Sequence, residues 1–494
     1  MNINSKHKYF YLFLILIFCL GFILRFLLLI DGRSLWHDET SLGMSLVFKN
    51  FIELWQPLLH VQSAPPLFLT FSKLLFSISP QNPEYILRII PFLFGIISIF
   101  LFYKLSLKVL KNKGSILFAN LIFAINIPLI VYSSEFKQYS GDVAIVLTLF
   151  LLFDKYKIEN ITTKQKILLS IILLIVPFIS LPSIFVIASY ILLSLLKKKF
   201  KNIKEIFFII LPITIAFSAY YFHTLIPAKE QMLNSYSELW SGGFLNFHIS
   251  SIINLLKINL NYFFYPCKFI LIPCLFFFIG IFALMKKNNN ISKLILLTLF
   301  FVILASFLHI YPIKERTVLY LIPLTILFIF IPTTLSFSRD KNRQIIYKTI
   351  IVSLILIFFS GYNVKNFNLL KNNHVLKKEY PKELMIFMKE HYTPGEVVIY
   401  NDASDSEFYF YSTIYNFSNS QMKIGKISLS SYGEDWYYNV LNILPKNQKY
   451  WFFYSYDYYK KPVIPFLKKW ARQPHNKIIY EKERGISYLL LIEN

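Results

Sequence analysis

Apolar stretches close to twenty residues long recur along the first three quarters of the chain, beginning with residues 9–30. About 20 apolar residues is the helix length that crosses a hydrocarbon core of roughly 30 Å. In lipid every backbone N–H and C=O must be paired within the chain, so each such run is read as a helix. The recurrence excludes a water-soluble globular fold, and the composition agrees: 55% hydrophobic, 18% aromatic and only 16% charged residues. The first run follows Lys6 and Lys8 but is too long for a secretory signal and lacks a small-residue cleavage site. It reads as an uncleaved span with the N-terminus inside.

The net charge of +24 would point to nucleic acid if the basic residues formed one face of a folded domain. They fall instead in short clusters between apolar runs, such as "KVLKNKG", "LLKKKFKNIKE", "MKKNNNISK" and "SRDKNRQ". That is the pattern of cytoplasmic loops facing anionic headgroups, and it implies membrane lipids but no nucleic acid as partners. Cys19, Cys267 and Cys274 all lie in apolar runs, which gives no basis for a disulfide framework or a metal-thiolate cluster.

Placing each Lys cluster inside yields spans at 9–30, 85–103, 116–132, 143–153, 167–179, 184–196, 206–222, 269–285, 294–310, 318–334 and 350–362. Residues 31–84 become one external loop, in which 65–79 is too short to span and reads as an interfacial helix. After residue 363 the pattern changes. "YPKELMIFMKEHYTPGEVVIYNDASDSEFYFYS" reads as an amphipathic helix, a Pro-Gly stop, a strand at 397–400 and a second helix; "KYWFFYSYD" and "ISYLLLIEN" read as strands, with "VIPFLKKWARQ" a helix between them. The expected architecture is a polytopic α-helical membrane module, 1–363, followed by a C-terminal extracytoplasmic α/β domain, 364–494.

Four outer stretches carry the candidate chemistry. In "RSLWHDETSLG", Asp38 and Glu39 follow the first span at once, with Trp36 as an interfacial anchor; a partly desolvated carboxylate there suits a general base. "SAPPLFL" is a Pro-initiated helix start. "YSSEFKQYSGD" crowds Glu135, Lys137, Tyr139 and Asp142 between two spans, and ionisable groups at membrane depth are functional candidates. "HIYPIKERTVLYLIPL" puts Lys314, Glu315 and Arg316 outside against the positive-inside trend, as cations for a phosphate would be. Arg25 is expected to snorkel to the outer face, and His37 and His60 to hydrogen-bond in polar loops rather than to ligate metal.

The order of "LWHDE", "PPL", "SSEFKQYS", "YPIKER" and an outer α/β tail resembles the bacterial GT-C glycosyltransferases, in particular the dolichyl-phosphate-mannose protein mannosyltransferase-like and aminoarabinose-transferase-like group. The resemblance covers the layout of about the first 360 residues, with "LW.DE" followed by "PPL" as its most specific part. It implies an inverting enzyme of the cytoplasmic membrane that takes a sugar from a polyprenyl-phosphate donor and passes it to a glycan, lipid or protein acceptor. Asp38 would be the catalytic base and Glu39 its supporting partner. The second acidic position maps onto Glu135 or Asp142. Lys137, where relatives often carry Arg, Arg316 and the adjacent Lys314 would bind the donor phosphate. A divalent cation could be chelated by Glu39 and Glu135, or held at the second acidic position by Glu135 and Asp142, although no His and acid spacing demands one. The competing reading is a polytopic transporter or flippase, which internal repeats or broken mid-membrane helices would favour; the sequence displays neither.

Overall fold

The computed structural model describes the chain apart from residues 1–4, 157–161, 197–202, 232, 233, 235–241, 264–270, 288, 335–378, 418–422, 428–440 and 456–462. The chain divides into two compact units: Met1–Asp31, Ala64–Phe71 and Arg88–Lys371 form the first, and Gly32–Ser63, Ser72–Leu87 and Asn372–Asn494 the second.

In chain order the helices are α1 (Ser5–Ile30), α2 (His37–Phe48), α3 (Pro66–Ile78), α4 (Pro83–Ile86), α5 (Ile89–Val109), α6 (Lys113–Ile125), α7 (Ile127–Tyr132), α8 (Tyr139–Lys155), α9 (Thr163–Ile175), α10 (Ser183–Leu196), α11 (Ile203–Tyr220), α12 (Ile249–Phe263), α13 (Leu271–Met285), α14 (Asn290–Phe307) and α15 (Ile322–Phe330). Each predicted span is helical, one of them as two helices, except the last, 350–362, which lies outside the described residues. Among the described residues four helices are long and apolar enough to cross a membrane: Lys8–Ile30, Pro83–Val109, Asn290–Phe307 and Glu315–Thr333. Shorter apolar helices stand beside them. The first unit is therefore a polytopic helical membrane module. Its interior is aromatic, with Phe102 stacked on Phe123 between α5 and α6, and Phe153 on Tyr190 between α8 and α10. Phe13, Leu16, Leu93 and Phe100 are exposed on α1 and α5, an outward apolar surface suited to lipid rather than water.

One predicted span is broken. Residues 116–132 are not one helix: α6 stops at Asn126, whose side chain accepts the Leu129 N–H and so caps α7, with Pro128 in its first turn. Asn126 Nδ2 also donates to the Phe263 carbonyl at 2.7 Å, tying the break to the end of α12. Arg25 answers the same break. Its Nη1 donates to the carbonyls of Gly21 and Ala124 at 3.0 and 2.9 Å. The side chain is fully buried. The expected snorkelling is thus corrected: the guanidinium turns inward, bonding the Gly21 carbonyl of its own helix and the Ala124 carbonyl that the kink at Pro128 leaves free.

In the second unit, α16 (Pro381–His391), β1 (Val397–Asn401), α17 (Asp405–Ile414), β2 (Lys423–Ile427), β3 (Lys449–Tyr454), α18 (Val463–Ala471), β4 (Lys477–Arg484) and β5 (Ser487–Glu493) build one sheet of order β2-β1-β3-β5-β4. β1 pairs parallel with β2 and β3, and β5 antiparallel with β3 and β4. Alternation along β3 sends Phe452 against Trp470 of α18 and Phe453 against Phe408 of α17, so both faces of the sheet are covered. The helix, strand and helix read from "YPKELMIFMKEHYTPGEVVIYNDASDSEFYFYS" are all present. β2 and β4 were not anticipated.

Candidate active site

In the helical unit, Lys314 and Arg316 sit on a loop held from several sides. Asn259 on α12 donates Nδ2 to the Ile313 carbonyl at 3.1 Å and accepts the Glu315 N–H at 2.8 Å. Thr317 Oγ1 accepts the Lys314 N–H at 3.1 Å, and Tyr311 donates its hydroxyl to the Thr317 carbonyl at 2.7 Å. The Ile313 N–H reaches the Gly243 carbonyl at 2.7 Å. Glu315, between the two cations, has φ of 50°, a left-handed conformation that these bonds stabilise. The result is a fixed platform for two half-buried cations.

Beside that platform the Tyr132 and Tyr262 hydroxyls face each other, with Glu135 and Arg316 in electrostatic reach of both. Glu135 and Lys137 lie in the short connection between α7 and α8 and are 3% and 4% exposed. Asp142 occupies a different environment, facing Ser180, Tyr311 and Tyr320. Of the two acids left open for the second acidic position, Glu135 is the one that shares its surroundings with Arg316. Asn259, Tyr132 and Tyr262 were missed in the sequence. An Asn inside the apolar run "NLLKINLNYFFYP" was the available signal, since a polar residue on a buried helix face needs a partner.

In the second unit, α2 begins at the "HDE" stretch itself. Trp36, in extended conformation, is its N-cap residue, and Glu39 turns back so that Oε2 accepts the Trp36 N–H at 3.3 Å. Glu39 is fully buried, whereas Asp38, in the first turn, is half-buried and can be reached. Trp36 is buried too, which corrects its reading as an interfacial anchor. Pro66 opens α3 as expected from "SAPPLFL".

His37 is not a bystander in a polar loop. Its Nδ1 lies 3.1 Å from Glu407 Oε2, and its backbone N–H donates to Glu379 Oε2 at 2.5 Å. Burial alone would lower the imidazole pKa, but Glu407, followed by Glu379 and Asp38, outweighs it and raises the value to about 9. A group held above its unfolded pKa of about 6.5 stabilises the fold fully below that value, and the contribution disappears as pH rises through about 9. A histidine-selective NMR titration is expected to put the His37 midpoint near 9. Glu407→Gln should move that midpoint down, and a midpoint that stays in place would contradict the pairing.

No three His, Cys, Asp or Glu side chains among the described residues converge as a cation site requires. Glu39 is spent on its own helix terminus and Asp142 faces hydroxyls.

No protein-family model and no curated protein sequence matches the chain. Solved structures do. A crystal structure of ArnT from Cupriavidus metallidurans bound to undecaprenyl phosphate superimposes with a TM-score of 0.55 at 10% identity, covering 97% of this chain and 97% of that one. ArnT from the same organism in the apo state gives a TM-score of 0.55 at 9% identity, over 99% of this chain and 98% of that one. The similarity runs through the helical module and the α/β tail alike, and what the chain shares with these structures is the fold.

Proposed function

We propose that the protein is an integral-membrane glycosyltransferase that moves a sugar from a polyprenyl-phosphate carrier to a glycan, lipid or protein acceptor on the outer face of the cytoplasmic membrane. The observation that carries this reading is the end-to-end likeness of fold to an ArnT that holds undecaprenyl phosphate. The ordered motifs add support, because each falls on a built feature of its own unit: a capped helix start at Asp38 and a stapled loop at Arg316.

The proposed chemistry follows from what each group needs. The leaving group is a phosphate, already stable as an anion, so it calls for cations rather than a proton donor. Arg316 supplies a planar fork and Lys137 and Lys314 supply point charges. The acceptor must lose a proton as it attacks, and Asp38 is the carboxylate assigned to take it. Glu39 sets the helix on which Asp38 rides. With one base and no enzyme nucleophile, the transfer is a single displacement with inversion at the anomeric carbon. The N-terminus is assigned to the cytoplasm and the α/β tail to the outside.

Asp38→Asn keeps size and polarity but cannot accept a proton. It is expected to cut transfer of radiolabelled sugar from a polyprenyl-phosphate donor pool by about 10²–10⁴-fold, the usual contribution of a general base, while membrane insertion is unchanged. Full activity in that variant would refute the base assignment. Solute transport by purified protein in vesicles lacking any lipid-linked sugar would refute the enzyme class.

A further inference from the structure

α2 carries the proposed base in its first turn, and that turn is built largely from side chains of the α/β tail, more than three hundred residues away in sequence. Glu379 caps the His37 N–H at 2.5 Å. Glu407, fully buried on α17, holds His37 Nδ1 at 3.1 Å. Ser406 Oγ stands 2.9 Å from Glu407 Oε2, 3.0 Å from Ser41 Oγ and 3.2 Å from Thr40 Oγ1, joining the two helices through hydroxyls. One residue before the cap, the Leu35 N–H donates to the Tyr411 hydroxyl at 2.8 Å, and that hydroxyl donates to Glu84 at 3.0 Å. Glu84 in turn pairs with Lys382 of α16 at 3.0 Å. Even the helix surface is cut to fit: a Cβ on Gly43 would stand 2.6 Å from the Phe410 ring.

A helix start leaves its first N–H groups without partners inside the helix, and an isolated 12-residue helix is marginal in water. α2 is therefore a short element whose first turn depends on residues outside it. Its apolar contacts alone would fix where the helix lies. The direction of the first turn, and hence of the side chain at position 38, is set by the capped N–H groups at 35 and 37 and by the imidazole between them.

We infer that Glu379, Glu407 and His37 are positioning residues for Asp38, and that the C-terminal α/β domain is part of the reaction machinery because it supplies the cap and clamp of the helix that bears the base. This inference rests on the reading of Asp38 as base, and its test separates the two. Glu379→Met and Glu407→Met keep the side-chain length but remove the accepting oxygens, and two independent variants guard against a folding failure in either.

Hydrogen exchange of the full-length protein in detergent needs no substrate. Amides 35–41 are expected to exchange about five- to tenfold faster in either variant, the scale of one lost helix cap, while the other helices keep their protection. Unchanged exchange overturns the clamp. With the labelled polyprenyl-phosphate sugar pool as donor, the variants are expected to lose roughly ten- to a hundredfold in kcat with the KM for donor unmoved, a split that general destabilisation does not produce. The double variant His37→Gln with Glu407→Met should be no worse than either single variant. Faster exchange with full turnover, in an assay that Asp38→Asn abolishes, overturns the positioning role. Faster exchange with Asp38→Asn still active leaves the clamp standing and refutes the base.

Discussion

Replacing Arg316 with Ala is expected to lower sugar transfer by about 10²–10³-fold, the loss typical when one preorganised donor to a developing anion is removed. Three features set the size of the effect. The cation sits on a loop whose backbone is already fixed by Asn259, Thr317 and Tyr311, so little ordering remains to be done when an anion arrives. Glu135, Tyr132 and Tyr262 surround it in the resting protein, so its charge is balanced there by groups that an incoming phosphate would have to displace or share. Lys314, two residues earlier on the same loop, carries charge but no fork. Arg316→Lys should therefore recover only part of the activity, since a point charge cannot reproduce a bidentate contact. Binding of labelled undecaprenyl phosphate to the purified variants, measured beside turnover, distinguishes loss of donor capture from loss of transition-state stabilisation. Normal binding and normal turnover in Arg316→Ala would remove it from the phosphate site.

What could be read from the chain depended on how local the cause was. The long apolar runs and the buried strands β3 and β5 were legible because a segment buried on both sides is continuously hydrophobic. β2 and β4 were not. They are the edge strands of the sheet, and "KIGKI" and "KIIYEKER" carry the Lys, Glu and Gly that edges tolerate and that blur a strand pattern. The break at Asn126 was signalled by Pro128 and overlooked because the apolar run continues through it. Arg25 was misread for a related reason: hydropathy gives the depth of a residue but not which way its helix faces, and the inward turn is answered by the Ala124 carbonyl of another helix. Asp38 and Arg316 stood out as acids and cations where few are expected, yet the partners of His37 could not. Glu379 and Glu407 come from a domain distant in sequence, and no spacing rule links them to position 37.

The largest loss of stability is expected at a position with no functional group. Gly280 on α13 faces the backbone of α15 so closely that an added Cβ would lie 2.6 Å from the Phe328 carbonyl carbon and 2.8 Å from its Cα. In most helix interiors Gly→Ala gains about 0.5–1 kcal/mol. Here the sign should reverse, because the obstructing atoms are backbone and cannot swing aside. Phe277 and Phe328, edge to face at 5.3 Å, pack the same contact. Between membrane helices there is little hydrophobic drive, and close approach at small residues is what holds them. Gly280→Ala is expected to cost about 1–3 kcal/mol as overpacking, and Gly280→Leu to prevent recovery of folded protein. Gly114→Ala on α6, where the nearest neighbouring atom stands 3.5 Å from the new methyl, is the matched control and should be neutral or better. Thermal unfolding in detergent, followed by size-exclusion fluorescence, measures all three. The consequence extends beyond stability, because α15 continues directly from the segment Glu315–Leu321 that carries Arg316. Forcing α13 and α15 apart moves the foundation of that loop, so the Ala variant should lose transfer activity at temperatures where it remains folded. A Gly280→Leu protein as stable as its parent would show that the two backbones are not in contact.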